Sequence, residues 1–537
     1  MNRPLVVPLA AVVAMACTAA AAADRRPNVV VILADDLGWG DVGCNNPDRG
    51  RVPTPRIDAL AAEGMRFTDG HATSAACSPS RYSLVTGRYH WRTRLQRGIV
   101  GMWEPPLIAP ERLTIASLAA SHGYHTACVG KWHLGREWPI ADADVRYFKG
   151  LGGPSGGGRM VAKPSAEHRA AWRRTFEQPI PGGPTSHGFS EAFGPDVPNW
   201  PPYCFIEGDR TVGIPTALLP VDQVADLLAT AQGPALPDWK LDYILPALVD
   251  RAGEIIRREA TARRPFLLYV PLTSPHTPIA VGREWRGRSG LGVDYADFVM
   301  QTDAAVGGIL DAIGEAGIAD DTLVIFTSDN GCETKVGLKE LAARGHFPSG
   351  PFRGYKRDVW EGGHRVPFIV RWPAVVPQGR VCGHIVSSVD VMATLADILG
   401  ADLPASAGED SVSLVPLLSG GSKSVRASLV HQSYSGVFAI RVDRWKLIFG
   451  PGSGPPDSTP AQLYDLVADP GETTDLAAEH PEEVARLRGA MKRLVADGRS
   501  TPGGAQANDV AVAIRKDGGR QKSPANGARR PQPEPVP

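Results

Sequence analysis

Four short apolar runs in this chain each stop at polar residues, and that pattern admits few folds. Residues 28–34 (NVVVILA) run into Asp35-Asp36. Residues 125–129 (HTACV) lead to Gly130-Lys131-Trp132-His133, and residues 265–272 (PFLLYVPL) to Thr273-Ser274-Pro275-His276. Residues 323–326 (LVIF) lead to Thr327-Ser328-Asp329-Asn330-Gly331. Continuous apolar runs rich in β-branched residues belong to strands buried on both faces, hence to parallel sheets covered by helices. Helical patterns fall between them, over residues 53–65, 111–121, 239–258 and 295–316. The fold class is therefore α/β, a large, mostly parallel sheet sandwiched by helices. Such sheets place their ligands at the carboxyl ends of the strands. If the four runs share one sheet, their polar ends open on one crevice.

The residues at those ends sort by charge. Asp35, Asp36, Asp329 and the amide oxygen of Asn330 are hard oxygen donors, suited to Ca²⁺ or, less well, Mg²⁺. Lys131, with partly protonated His133 and His276, supplies positive charge. Alone, each piece has a plain reading: a helix cap, a surface cation, a structural histidine, an Asn-Gly turn. The same holds for Cys77-Ser78-Pro79-Ser80-Arg81, which fits a structural cysteine before a helix. Pro79 disfavours helix at Ser78, and a helix starting at Pro79 would let Arg81 face back toward the sulfur.

Taken together, the strings resemble the type I, formylglycine-dependent sulfatases of the alkaline phosphatase superfamily. They are CSPSRYSLVTGR at 77–88, GKWHLG at 130–135, SPHTP at 274–278, SDNG at 328–331 and FRGYKRDVWEGGHRVP at 352–367. The resemblance is to the arylsulfatase and N-acetylgalactosamine-6-sulfatase type and covers nearly the whole chain beyond its start. It implies an alkaline phosphatase-like sheet, and oxidation of Cys77 to Cα-formylglycine by a maturation enzyme. It implies a metal bound by Asp35, Asp36, Cys77, Asp329 and Asn330. Arg81 and Lys131 would hold the nucleophile, and Lys131 and Lys356 the sulfuryl oxygens. His276 would protonate the leaving oxygen and His133 would release sulfate. An oxygen nucleophile also suits a hard cation better than a soft thiolate does. The implied substrate is a sulfated small molecule or glycan. A phosphate or phosphonate monoester hydrolase, and a protein that binds sulfated glycans without turnover, are the rival readings.

Length and charge set the frame. A chain of 537 residues exceeds what one core usually serves. Lys+Arg and Asp+Glu both number 57, so no dominant polyanion-binding surface and no nucleic-acid partner is expected, while a local basic pocket stays open. Residues 1–23 read as a secretory signal peptide, and no later segment is apolar enough to span a membrane, so a secreted or periplasmic protein is expected. Seven cysteines leave six beyond the leader and five if Cys77 is modified, hence at most two disulfides. The division is residues 24–420 for a catalytic domain, 421–500 for a smaller antiparallel-sheet domain, and 501–537 for a disordered tail. In the small domain, residues 428–432 and 438–449 read as strands, 462–476 as a strand and Asp-Pro-Gly turn, and 481–497 as a helix. Trp200 and Tyr203 sit in a Pro-rich loop that could wall a pocket; Arg353 and Arg357 read as surface charges.

Overall fold

The computed structural model describes residues 26–149, 163–225, 230–453 and 460–514. The expected leader, residues 150–162, 226–229 and 454–459, and residues 515–537 lie outside that set.

All four apolar runs enter one ten-stranded sheet. Its strands are β1 (Asn28–Ala34), β2 (Met65–Phe67), β3 (His125–Val129), β4 (Glu191–Gly194), β5 (Ile206–Glu207), β6 (Arg210–Thr211), β7 (Phe266–Pro271), β8 (Thr322–Ser328), β9 (Phe368–Arg371) and β10 (Arg380–Cys382). Their order is β10-β2-β9-β8-β1-β7-β3-β4-β5-β6. The central strands β8, β1, β7, β3 and β4 are mutually parallel, and β9 joins antiparallel to both β8 and β2. The four carboxyl ends of interest therefore lie side by side.

Strand β1 shows why the sheet is covered on both faces. Val30, Ile32 and Ala34 pack with Ile57 and Leu60 of α1 (Pro55–Ala62) and with the long helices α4 (Ile244–Ala262) and α5 (Asp294–Glu315). Val29, Val31 and Leu33 pack on the other face with Tyr82, Leu84 and Val85 of α2 (Cys77–Thr86), and with α3 (Ile115–Ser121) and α6 (Val391–Leu399). Alternate residues address opposite layers, and both layers are apolar.

Several boundaries differ from the sequence reading. The helix expected over 53–65 ends at Ala62, because Met65 already pairs in the sheet. Helix α3 begins only at Ile115, where Thr114 caps it. Residues 438–449 are two strands, not one: β12 (Phe438–Val442) and β13 (Trp445–Ile448) turn at Asp443, which takes φ +55. Asp-Arg is a weak turn signal, so the break was hidden in the alternation.

With β11 (Leu429–Gln432) and β14 (Gln462–Asp465), these strands make a four-stranded antiparallel sheet covered by α7 (Pro481–Ala496). The start of the expected disordered tail, residues 501–514, is instead held against this region. Asp509 pairs with the buried Arg88 at 2.9 Å, Asn508 accepts from Arg92 at 2.9 Å, and Val512 and Ile514 join the small sheet's core. Composition shows few apolar residues there but cannot show two buried arginines that need partners.

The small sheet meets the large one through buried charge. Lys446 reaches Glu361 at 2.9 Å and Glu472 at 2.8 Å, and Arg441 reaches Asp69 at 2.8 Å. Among these ions lie His71, His364 and His431, with His71 Nδ1 3.2 Å from His364 Nδ1 and Arg365 alongside. One nitrogen of each ring lies within 4.8 Å of the others. The rings of His364 and His431 nevertheless stack at 3.6 Å and 12°, so their nitrogens do not converge on one ion. Burial, with the neighbouring cations and rings, holds all three histidines below their ordinary range, hence neutral. The unfolded chain then binds more protons than the native state once pH falls below about 6.5, so stability declines with acidification. Each such histidine contributes a slope of about 1.4 kcal/mol per pH unit. Denaturant unfolding between pH 7 and 5 should show that decline, and His364→Gln should flatten it by about one histidine's share; an unaltered slope in the variant would refute the assignment.

Candidate active site

The site is built where β8, β1, β7 and β3 end. Asp35 follows β1, and its amide donates to Ser274 O at 3.0 Å, past the end of β7. Asp36 turns the chain with φ +64, its amide donating to Asp329 Oδ1 at 3.1 Å. Asp329 and Asn330 follow β8. Gly331 comes next because a Cβ there would lie 2.0 Å from Gly362 O. His276 sits between Pro275 and Pro278 beyond β7, both after cis peptide bonds.

Helix α2 begins at Cys77 itself, not at Pro79, with Ala76 as its N-cap. Pro79 is then the third helical residue, where its missing N–H is among the donors a helix leaves unpaired anyway. Cys77 therefore stands at the positive end of a buried helix.

Lys131 and His133 do not continue β3, which ends at Val129. Instead the chain leaves the sheet at Gly130 (φ +141), where a Cβ would lie 1.9 Å from Pro271 O, and His133 takes φ +56. The bend still turns both side chains into the site. Lys131 Nζ meets Asp35 Oδ2 at 2.7 Å, while His133 Nε2 lies 3.1 Å from Val100 O and its Nδ1 has no partner.

All ten expected residues, Asp35, Asp36, Cys77, Arg81, Lys131, His133, His276, Asp329, Asn330 and Lys356, come together, none more than 7% exposed. Arg81 addresses the acids rather than the sulfur: Nη2 is 2.7 Å from Asp329 Oδ2 and 3.3 Å from Asp35 Oδ1, and Nη1 donates to Lys131 O at 2.9 Å. Lys356 Nζ lies 2.6 Å from Asp36 Oδ2. His276 Nε2 lies 3.6 Å from the same oxygen. One ligand atom each from Asp35, Asp36, Cys77 and His276 fall within 4.8 Å of one another.

The electrostatics follow from burying this much charge. Burial alone would raise Asp35, but Lys131, Arg81 and Lys356 hold it well below the carboxylate range. Asp36 is raised by burial, with Lys356 opposing and Asp35 and Glu333 adding to the rise. Burial and Asp35 push Asp329 up to about 7 against the pull of Arg81 and Lys131. His133 and His276, counted among the cations from sequence, are held neutral by burial and by their lysine neighbours.

The donor set fits a hard divalent cation. Asn330 Nδ2 donates to Asp36 Oδ1 at 2.7 Å, which leaves Asn330 Oδ1 buried with no hydrogen bond. Asp35 Oδ1 likewise accepts none. A buried amide oxygen with no donor, a carboxylate oxygen that meets only Arg81 Nη2 across 3.3 Å, and a carboxylate pushed toward neutrality beside them are what a cation would satisfy.

A cavity of about 190 Å³ opens over Cys77, His133, His276 and Lys356. Two residues that sequence reasoning passed over also line it. Glu333 is buried and Arg357, read as a surface charge, lies against it at 2.7 Å. Only the buried partner distinguishes Arg357 from its neighbours in a basic stretch, and no local pattern reveals a partner 24 residues away. Trp200 lines the cavity as expected, edge-on to His133 at 5.4 Å. Tyr203 does not: its hydroxyl is turned inward and donates to Asn199 O at 2.8 Å.

The six cysteines among the described residues are all free thiols. Burial pushes Cys77 up to about 12, although Lys131 and Lys356 pull it down. The Cys77 thiol should therefore resist iodoacetamide at pH 8, labelling on the order of a thousandfold more slowly than a free thiol. Peptide mass spectrometry after timed alkylation checks this, and rapid native labelling would contradict it.

Comparison with known proteins adds the following. The family model described as Sulfatase matches residues 27–401, and one described as N-sulphoglucosamine sulphohydrolase, C-terminal, matches residues 352–499. The chain is 32% identical to an N-acetylgalactosamine-6-O-sulfatase of Bacteroides thetaiotaomicron, over 86% of this chain and 92% of that one. It is 35% identical to human arylsulfatase A, over 89% of each. A solved structure described under the metabolism of multiple glycosaminoglycans by Bacteroides thetaiotaomicron superposes with a TM-score of 0.74 at 29% identity, covering 88% of this chain and 99% of that one.

Proposed function

From the premise that this chain belongs to the sulfatase family and is a sulfatase, we propose that it hydrolyses carbohydrate or aryl sulfate monoesters with a formylglycine at position 77 and a bound Ca²⁺. The observation that carries the reading is the meeting of the Cys77 sulfur with Asp35, Asp36 and His276 within 4.8 Å at one sheet edge. Asp35, Asp36, Asp329 and Asn330 Oδ1 are the groups that would hold the ion, whose part would be to polarise a sulfuryl oxygen. Oxidation of Cys77 to the aldehyde by the maturation enzyme, followed by addition of water, would supply a diol hydroxyl as nucleophile where a thiol pushed to about 12 is a poor one.

The remaining chemistry belongs to the chain's own side chains. Lys131 and Lys356 are placed to spread their charge over the sulfuryl oxygens, a contribution commonly of order ~3 kcal/mol per group. His276 Nδ1 contacts Thr277 O, leaving Nε2 to face the reaction. A sulfate ester in the cavity brings negative charge against that ring and raises its proton affinity. His276 Nε2 can then hold the proton that the leaving alkoxide or phenoxide takes. His133 Nε2–H donates to Val100 O, so its unpartnered Nδ1 is the atom that accepts the proton whose loss releases sulfate.

The rest of the reading is of the same kind. Residues 24–420 carry the chemistry and 421–500 complete the fold, with a leader at 1–23 directing the protein out of the cytoplasm and a maturation enzyme acting on Cys77. No helix among the described residues is long and apolar enough to cross a membrane.

The test is a panel of matched sulfate and phosphate esters, including N-acetylgalactosamine 6-sulfate and p-nitrophenyl sulfate. Sulfate esters should be turned over preferentially. Cys77→Ala should lose at least about 10³-fold in kcat/KM with its folding unchanged, and chelation with EGTA should lower activity until Ca²⁺ is restored. Preference for the phosphate esters, or full activity in Cys77→Ala, would overturn the proposal.

A further inference from the structure

Glu333 and Arg357 are two charged groups of the cavity that the hydrolytic chemistry does not use. Arg357 Nη1 and Nη2 each donate to one oxygen of Glu333 at 2.7 Å, a planar two-pronged pair. Burial would raise Glu333, but Arg357 and Lys356 hold it well below the usual range, so the carboxylate stays ionised. The pair is therefore neutral as a unit while offering both hydrogen-bond donors and acceptors.

Its placement is enforced by the backbone. Arg357 takes φ +83, a conformation that a bulky residue keeps only where its surroundings fix it. Its amide donates to Ala75 O at 2.8 Å, two residues before Cys77, and its carbonyl accepts from Tyr434 N at 3.1 Å. The side chain is 40% exposed, beside the buried Lys356.

The other cavity walls have a matching character. Trp200, Tyr434 and Ile99 are apolar faces. A flat aryl ring seated here would displace water from the outer guanidinium N–H bonds of Arg357 and return no hydrogen bond to them, a cost in binding. A pyranose ring satisfies them, with hydroxyls for the polar groups and a C–H face for the aromatics. At about 190 Å³ the cavity is smaller than the ~300 Å³ at which drug-sized pockets begin, so it takes one ring with its ester.

We propose that Glu333 and Arg357 form the specificity-determining pair of this enzyme: they read the hydroxyls that flank the ester on a terminal sulfated sugar, and make such a sugar, rather than an aryl sulfate, the preferred substrate. The inference rests on the sulfatase reading and deepens it.

The test compares galactose 6-sulfate with p-nitrophenyl sulfate on the full-length mature enzyme. The wild type should prefer the sugar. The double variant Glu333→Ala/Arg357→Ala leaves no buried charge unpaired. In it, the ratio of kcat/KM for sugar over aryl ester should fall on the order of 100-fold, through KM rather than kcat. Arg357→Lys should fall in between, since an ammonium replaces only part of the guanidinium's hydrogen bonding. Equal losses on both substrates, or none on the sugar, would overturn the assignment. A wild type that cleaves the aryl ester but no sulfated sugar would overturn it while leaving the sulfatase reading intact; a wild type that cleaves neither sulfate would sink that reading first. Should the double variant fold poorly, calorimetry of galactose 6-sulfate binding to Cys77→Ala with and without Arg357→Lys decides. Weakening by about tenfold or more supports the pair, and unchanged affinity refutes it.

Discussion

Three carboxylates buried at the carboxyl edge of one sheet cannot be left without positive charge, and much of this molecule is arranged to supply it. Arg81 comes from helix α2, Lys131 from the loop after β3, and Lys356 from the segment before β9; each ends on Asp329, Asp35 or Asp36 at 2.6–2.7 Å. Buried ion pairs of this kind add little net stability, because desolvation offsets most of the attraction. Removing one member is another matter, costing about 3–5 kcal/mol for the charge left behind. The network thus ties α2, and with it Cys77, to the ends of β1 and β8. The fold tolerates this concentration of charge because the groups neutralise each other pairwise, and of them Lys356 reaches the cavity wall.

Backbone strain is concentrated at the same place. Among the described residues, seven non-glycine positions have positive φ, and three of them are Asp36, His133 and Arg357. Each costs on the order of 1–3 kcal/mol and persists only where neighbouring bonds hold it. Asp36 is held through Asp329, His133 by the bend at Gly130, and Arg357 by Ala75 and Tyr434. His133 and Arg357 line the cavity and Asp36 pairs with Lys356, which also lines it, so the strain is a sign that direction, not stability, is what the local structure preserves.

The small antiparallel sheet is part of this arrangement. Gln432 on β11 accepts from Ala75 N at 3.0 Å, and Ala75 accepts from Arg357 N in turn. Tyr434, just past β11, lines the cavity mouth. The buried network around Lys446, Glu361 and the three histidines fixes how closely the two sheets approach. A site whose floor comes from one sheet and whose rim comes partly from the other depends on that contact.

Much of this was legible in the residues alone. Period and composition are local, so β1, β3 and β7 could be read almost to the residue, and strands that end in Asp, Lys, His and Asn already marked one edge as reactive. What local pattern cannot carry is direction and partnership across the chain. That α2 starts at Cys77, that Arg81 turns to the acids, that Asp443 breaks a strand in two, and that residues 501–514 are held by Arg88 and Arg92 all depend on contacts between distant residues. Arg357 is the clearest case: beside Lys356 in sequence it reads as one more surface cation, and only its pairing with the buried Glu333 gives it a direction. The sequence determined which groups would gather; tertiary packing decided which of them face each other, because burial and pairing are properties of the assembled interior and not of any stretch of chain.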